Sequence, residues 1–305
     1  MPLTATATAA ITDPHAATAA AADPHAARLA PLHELAERCP ALTIEVAGTF
    51  TDPDPDPGSD PGPAAAAAAA AGPAAAGQGR TIWTIPRITF AGPRARHEEP
   101  IHIGIFGGIH GDEPSSVDAI LAFAAQLADD PGRAAGYNLS LYPVTNPAGL
   151  ADNTRHNRAG VDLNREFWTG STQPEVRILE NELARRHFGG LVTLHADDTS
   201  EGIYGYTHGQ ILNDALLEPA LRAASLVLPR DRRALIDGFA AASGKISRCF
   251  SGILASPPDQ RPKPFDLIFE TPGLAPRHRQ IEASILALET ILDEYRVFLA
   301  HAQYL

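Results

Sequence analysis

Residues 101–114 read IHIGIFGGIHGDEP, and this stretch decides the fold. Its apolar beginning, 101–107, is typical of a buried strand. The glycines that follow allow a tight turn, and a helix is predicted over 114–128 because its apolar residues fall on one face. Those residues are Val117, Ile120, Leu121, Ala124 and Leu127. A buried strand that leads through a glycine turn into an amphipathic helix indicates an α/β domain.

Strand and helix patterns alternate along the rest of the chain. Further strands are predicted at 42–47, 81–90, 139–144, 191–195 and 265–270, and further helices at 28–38, 174–188, 212–228 and 278–304. This alternation predicts one domain with a mixed, mostly parallel sheet and helices on both faces. The apolar residues of the last helix form one stripe, which favours packing against the sheet over a dimer seam.

Two segments have compositions that do not predict packed structure. Residues 1–27 are rich in alanine and contain DPHAA twice, so we interpret them as a low-complexity tail in which His25 is solvated. Residues 51–79 consist largely of Pro, Gly, Asp and Ala. Burial of such residues cannot offset the entropy cost of ordering them, so this segment is predicted to be a disordered insertion between the first two strands. Residues 28–305 are then predicted to form one domain, large enough for an enzyme, that contains this insertion.

Composition limits the classes of partner. The chain has 305 residues and a formal net charge of −12, which argues against binding to nucleic acid or to an anionic membrane. No apolar run is long enough to span a bilayer, and the N-terminus lacks the features of a secretory signal. The two cysteines, Cys39 and Cys249, form no metal-binding pair and favour a reducing cytoplasm. The oligomeric state stays open.

Several predicted strands are followed by polar residues that can share one site. His110 and Glu113 follow the strand in IHIGIFG, Asn146 follows another, and His195 and Glu270 end two more. Ligands of open α/β sheets bind at the carboxyl ends of the strands. Two histidines and a glutamate are also one standard ligand set of catalytic zinc. The H-x-x-E pair taken alone fits an ordinary surface loop equally well.

Three further segments carry a family resemblance. They are NPAGLADNTRHNRAGVDLNREFW at 146–168, LVTLHADDTSEGIYGY at 191–206 and FETP at 269–272. Together with GGIHGDE they resemble the M14 zinc carboxypeptidase superfamily, which includes the succinylglutamate desuccinylase and aspartoacylase branch. The resemblance extends over about 101–272.

The resemblance implies roles for seven residues. His110, Glu113 and His195 match the ligands of a single zinc ion per chain, and Glu270 matches the glutamate that acts on the attacking water. The other matches are Arg155, which resembles the arginine that polarises the scissile carbonyl, and Asn164 with Arg165, which resemble the pair that binds the free carboxylate of the substrate. A planar guanidinium binds a carboxylate through two hydrogen bonds, which suits Arg165 for this role.

The predicted activity is therefore zinc-dependent hydrolysis of an amide bond next to a free carboxylate, carboxypeptidase-like on small peptides. A short spacing between Glu113 and His195 instead resembles the deacylase branch, which acts on N-acyl amino acids. An inactive ligand-binding relative and an interaction protein that works through the insertion are further alternatives. The roles of Tyr204, Tyr206 and His208 stay open.

Overall fold

The computed structural model describes residues 25–51, 81–94 and 99–302. Most of the predicted tail and insertion lies outside these residues. The first helix begins at Ala26, and the preceding His25 is buried, with its Nε2 donating a hydrogen bond to the carbonyl oxygen of Pro147 at 2.7 Å. The prediction of a solvated His25 is therefore wrong, because the imidazole has both an acceptor and the ring of Trp83 beside it.

The described residues form an alternating series of helices and strands. The α-helices of six or more residues are α1 (Ala26–Arg38), α2 (Pro114–Asp129), α3 (Pro147–Asp152), α4 (Pro174–Arg186), α5 (Glu218–Ala224) and α6 (Arg277–Ala302). The strands are β1 (Leu42–Thr51), β2 (Ile82–Ala91), β3 (Ile101–Phe106), β4 (Tyr137–Tyr142), β5 (Gly190–Asp197), β6 (Tyr204–Thr207), β7 (Leu235–Ile236), β8 (Phe239–Ala240), β9 (Lys245–Ile246) and β10 (Phe265–Pro272).

An eight-stranded mixed sheet organises the domain, in the order β1-β2-β4-β3-β5-β10-β6-β9. The central strands β4, β3, β5 and β10 are parallel, so their carboxyl ends meet at one edge of the sheet. Strands β1 and β2 pair antiparallel at one side, as predicted for neighbouring strands. On the other side β6 pairs antiparallel with β10. The fold is the predicted single α/β domain with a mostly parallel sheet.

Helices cover both faces of the sheet because successive strand residues point to opposite sides. From β3, Ile103 and Ile105 join the larger core beneath α2, α5 and α6, whereas Phe106 joins a second core beneath α4. The apolar stripe of α6 lies in the larger core, as the prediction of packing against the sheet required. Within the described ranges, every helix is too short or too polar to span a lipid bilayer.

Residues 203–264 differ most from the predicted elements. The helix predicted at 212–228 begins earlier, with an α-helical turn at Gln210–Leu212, continues through a π-helical turn over Asn213–Leu217 and ends at Ala224. Pro219 lies two residues beyond the end of this turn and has no N–H to donate to it, which accounts for the irregular hydrogen bonding. The short strands β6, β7, β8 and β9 are not predicted from the sequence. Strands β7, β8 and β9 have two residues each, so they cannot carry a detectable alternation.

Candidate metal centre and substrate cavity

The loop after β3 directs His110 and Glu113 to the same side. Gly108 has a φ of +62°, a conformation that side chains with a Cβ seldom adopt. Gly111 lies so close to the backbone of Gly149 that a Cβ would be 1.9 Å from its carbonyl carbon. Glu113 then occupies the N-cap position of α2 without a side-chain capping hydrogen bond, and Pro114 occupies the first turn, where its missing N–H costs nothing. The local sequence GGIHGDEP thus fixes a compact turn with both side chains at the sheet edge.

His195 completes a buried set of three possible metal ligands with His110 and Glu113. One donor atom from each lies within 4.8 Å of the others. Nδ1 of His110 is 2.5 Å from Oε1 of Glu113, and Nδ1 of His195 is 3.0 Å from Oε2 of the same carboxylate. Two imidazole nitrogens and one carboxylate are donors that zinc accepts in catalytic sites. The residues present therefore fit one zinc ion.

The electrostatics of the set follow from burying one carboxylate between two imidazoles. Burial favours the neutral form of Glu113, but the two histidines outweigh it and hold the pKa of this carboxyl group well below its usual value. Burial lowers the pKa of His110, yet Glu113 and Asp162 outweigh it and raise it to about 9. At His195 burial prevails and lowers the pKa. Glu113 thus stays ionised at neutral pH.

Asp162 holds the first histidine and the predicted arginine together. Its Oδ1 is 3.2 Å from Nε2 of His110, and its Oδ2 accepts hydrogen bonds from Nε and Nη2 of Arg155 at 3.2 and 2.9 Å. A carboxylate on the outer nitrogen of a metal-ligating histidine fixes the orientation of the ring. Sequence reasoning gave Asp162 no role, although it lies within the quoted GVDLNR string. Nη1 of Arg155 lies 3.7 Å from Glu113, and 41% of the Arg155 side chain is exposed.

Asn164 and Arg165 lie together in a short 3-10 turn, Leu163–Arg165. Oδ1 of Asn164 accepts a hydrogen bond from the backbone N–H of Leu254 at 2.8 Å, which turns the amide so that its NH₂ is left to donate elsewhere. The Arg165 guanidinium lies 4.3 Å from the centre of the Phe250 ring and donates to the backbone oxygen of Asn164 at 2.7 Å. Within the described residues Arg165 has no carboxylate partner.

Glu270 lies beside His195 because β10 and β5 are parallel and pair these two residues in register. None of the described residues forms a hydrogen bond with its carboxyl group. Burial raises the pKa of Glu270 well above its usual value, and the negative charges of Glu113, Asp197 and Asp237 add to the effect. Glu270, at the end of its strand, therefore lies beside the three possible metal ligands.

A cavity of about 760 Å³ joins all seven predicted residues. Its other lining residues include Tyr204, Tyr206, Asp197, Asp237, Phe250, Ile253 and Ile268. The two tyrosines, whose roles were open, thus contribute to its wall, whereas the exposed His208 does not line it. Asp237 and Phe250 come from the loops that sequence reasoning left unassigned. Only the quoted GIYGY segment gave a signal for this side of the cavity.

Comparisons with known proteins agree with this arrangement. The zinc carboxypeptidase family model, Peptidase_M14, matches residues 75–209. A search of curated proteins finds no significant match. Among solved structures, a proposed metallopeptidase of Shewanella amazonensis has a TM-score of 0.65 at 22% identity, covering 87% of this chain and 90% of its own.

Two carboxypeptidases are also similar in fold. The metallo-carboxypeptidase of Burkholderia cenocepacia has a TM-score of 0.62 at 14% identity, with 89% of this chain and 69% of its own covered. Carboxypeptidase A of Helicoverpa armigera has a TM-score of 0.59 at 17% identity, with 90% and 73% covered. These identities establish a shared fold. The family match over residues 75–209 and the buried His-Glu-His set support an M14-type, zinc-dependent and carboxypeptidase-like hydrolase.

Proposed function

We propose that this enzyme removes the C-terminal residue from small peptides, with zinc held by His110, Glu113 and His195. One observation carries the proposal: the same cavity contains this ligand set, the half-buried Glu270, and an arginine, Arg165, without a carboxylate partner among the described residues. A guanidinium left unpaired beside a hydrolytic centre suits a substrate that brings its own carboxylate.

Each residue has a definite task in this reaction. Bound zinc makes water acidic enough to supply hydroxide near neutral pH and polarises the scissile carbonyl. Glu270 takes the proton of the attacking water and transfers it to the nitrogen of the leaving amino acid. A raised pKa suits this task because the carboxyl group then holds more readily the proton that it takes from water and later returns.

Arg155 stabilises the negative charge that develops on the carbonyl oxygen. Asp162 holds its Nε and Nη2, so Nη1 points toward the metal ligands, 3.2 Å from Nδ1 of His110 and 3.7 Å from Oε1 of Glu113. A donor that is already oriented needs no rearrangement as charge develops, which is the advantage of a preformed oxyanion site. The partial exposure of Arg155 allows a substrate to reach it.

Asn164 and Arg165 bind the substrate carboxylate. The free NH₂ of Asn164 and the guanidinium of Arg165 are both donors, and both side chains line the cavity. Phe250 supports the guanidinium from one face, which leaves its edge to donate. A carboxylate bound here orients the neighbouring amide bond toward the metal ligands, which limits the enzyme to terminal residues.

The test is a screen of the zinc-loaded protein against three substrate panels: peptides with a free C-terminus, the same peptides amidated, and N-acyl amino acids. We expect hydrolysis of free-acid peptides and little turnover of amidated ones. Preferred hydrolysis of N-acetyl or N-succinyl amino acids would favour the deacylase alternative. Zinc binding without hydrolysis in any panel would favour the inactive ligand-binding relative. We also propose a cytoplasmic location, since both cysteines are free thiols.

A further inference from the structure

A buried glutamine in the first turn of α6 joins the segments that carry the metal ligands and Glu270. Gln280 is 4% exposed and lines the cavity. Its Oε1 accepts hydrogen bonds from the Ser115 hydroxyl at 2.6 Å and the Thr271 hydroxyl at 3.3 Å. Its Nε2 donates to the backbone oxygens of residues 273 and 275 at 3.0 and 2.7 Å. The amide thus uses both of its donors and both of its acceptor positions within the protein.

The orientation of this amide is fixed by its partners. Backbone carbonyl oxygens only accept hydrogen bonds, so the NH₂ of Gln280 must face the loop after β10, and its oxygen must face the two hydroxyl groups. Ser115 and Thr271 are buried as well, which excludes competition from water. Because an unpaired buried polar group is costly, the loss of one partner weakens the reason for the others to stay in place. The hydrogen bonds of Gln280 therefore form one unit.

The bond to Ser115 leads to the carboxylate among the metal ligands. Ser115 lies two residues after Glu113, in the first turn of α2. The adjoining Ser116 hydroxyl donates to the carbonyl oxygen of Glu113 at 2.8 Å and accepts from the N–H of Gly108 at 2.9 Å. The first turn of α2 is thus fixed to the turn after β3 on one side and to α6 on the other. These contacts set the backbone position from which the Glu113 carboxylate reaches both histidines.

The bond to Thr271 leads to the other two strand ends. Thr271 follows Glu270 directly in β10, and its hydroxyl also lies 3.2 Å from the carbonyl oxygen of His195 in β5. The single hydrogen of this hydroxyl is shared between that oxygen and Oε1 of Gln280. Gln280 therefore supports the two neighbouring strands at the point where Glu270 and His195 lie side by side.

We propose that Gln280 is a positioning residue that sets the geometry of the metal ligands and of Glu270 at the same time. It acts through Ser115 and Thr271. The inference rests on the proposed function for the role of Glu270, whereas its effect on the metal ligands depends on zinc binding alone. A displacement of about 1 Å can cost a reaction about 100-fold in rate, so a residue that holds several such groups together has a measurable effect on each.

The experiment replaces Gln280 with methionine, which has a similar length and no amide. Titration of the zinc-free protein in competition with a chelator measures zinc affinity, and the kinetic assay is run at saturating zinc. We expect Gln280→Met to weaken zinc binding about tenfold, the lower end of what residues that orient metal ligands contribute. We expect kcat to fall by about the same factor. KM should stay within about threefold, because Asn164 and Arg165, which bind the substrate carboxylate, are not affected.

Leu288→Ala is the matched control for a loss of stability. Leu288 is a buried core residue two turns further along α6, so its truncation should lower the melting temperature by a comparable amount. Well below that temperature, zinc affinity and kcat should stay within about threefold of wild type. Equal losses of both quantities in the two variants would overturn the proposal. A Gln280→Met protein with a lower melting temperature but wild-type zinc affinity and kcat would overturn it as well.

Two smaller substitutions test the two connections separately, and they serve as the test if Gln280→Met does not fold. Ser115→Ala should weaken zinc binding more than it lowers kcat, because it acts through Glu113. Thr271→Val, which keeps the shape of the side chain, should lower kcat more than it weakens zinc binding, because it acts through Glu270. The opposite order in both variants, or wild-type values in both, would overturn the proposal.

The zinc titrations separate this inference from the proposed function because they need no substrate. Weaker zinc binding in Gln280→Met and Ser115→Ala, but not in Leu288→Ala, supports the inference even if no peptide is cleaved. Wild-type zinc affinity in both Gln280→Met and Ser115→Ala would overturn it, whatever the substrate of the enzyme proves to be.

Discussion

The two walls of the cavity differ in how the fold supplies them. The first, the strand-end wall, takes Glu113 and His110 from the turn after β3, His195 from β5 and Glu270 from β10. The second, the hairpin wall, takes Asp237 from the β7–β8 turn and Phe250 from a loop without regular structure. The strand-end side chains are held by the register of a parallel sheet, whereas the hairpin residues come from connections. Loops tolerate change without loss of the core, so this difference predicts fixed chemistry on one wall and adaptable specificity on the other.

The strongest test of the strand-end wall is removal of a metal ligand. His110→Ala and His195→Ala should each lose most bound zinc and nearly all activity on every substrate, because three protein ligands are the minimum set of a catalytic zinc site. Metal analysis by mass spectrometry after dialysis measures the loss. His208→Ala, at an exposed histidine that does not line the cavity, is the matched control and should keep about one zinc per chain. Full zinc occupancy in both ligand variants would remove this site from the protein.

Glu270→Gln separates chemistry from metal binding on the same wall. Positioned acid–base groups contribute about 10²–10⁴-fold to rates, so kcat should fall by that factor. Zinc content and melting temperature should stay near wild type, because Glu270 is not one of the three ligands and glutamine has nearly the same shape. The loss should be equal for peptides with different C-terminal residues, since this group acts on the water. If activity stayed within threefold of wild type, another residue would have to transfer the proton.

Much of the strand-end wall could be predicted because each of its residues is indicated by the few residues that precede it in the sequence. Each strand shows as an apolar run, and each candidate residue follows the end of its own run, as in IHIGIFG followed by His110. The parallel order then brings those ends together without any knowledge of individual contacts. The partner of His110 is different. Asp162 lies 52 positions away in the sequence, and only the folded turn shows that its carboxylate reaches the imidazole.

The hairpin wall could not be predicted for the same physical reason. Strand β6 contains only Tyr204–Thr207, and its neighbour β9 contains only Lys245–Ile246. Pairing between such short segments is decided by contacts far apart in the sequence, and no period is long enough to show it. Asp237-Gly238 is a recognisable turn sequence, yet nothing in the sequence places that turn against the cavity. The burial of His25 could not be predicted for a similar reason. Its hydrogen-bond acceptor, Pro147, lies far away in the sequence, and its low-complexity surroundings give no sign of that contact.

Arg165→Lys tests the point where the two walls meet, since Arg165 contacts Phe250 and is proposed to bind the substrate. Lysine keeps the charge but cannot form the paired hydrogen bonds of a guanidinium. A charge-assisted hydrogen bond is worth roughly 1.5–3 kcal/mol, so kcat/KM for free-acid peptides should fall at least tenfold. The residual turnover of amidated peptides should not change. A penalty of equal size on both substrates would mean that Arg165 supports the structure and does not bind the carboxylate.

The smallest effect is expected from the region that belongs to neither wall, the connection between β1 and β2. Residues 52–80 lie outside the described residues, but the strands that flank them are well defined, and Thr51 pairs directly with Ile82. Because β2 runs antiparallel to β4, this connection leaves the sheet at the same edge as the catalytic side chains. The two strands that it connects lie next to β4, at the end of the strand order opposite to the hairpin wall.

Replacing residues 52–80 with a short Gly/Ser bridge should leave kcat/KM for small substrates unchanged. The free energy of unfolding should stay level or increase by up to about 2 kcal/mol, since each halving of a flexible loop returns roughly 0.6 kcal/mol of closure entropy. Thermal and urea unfolding beside the kinetic assay would measure both quantities. A large fall in stability would show that the segment packs on the domain. A change in kcat/KM at constant stability would show that it reaches the cavity from the shared edge, and the site would then have a third wall.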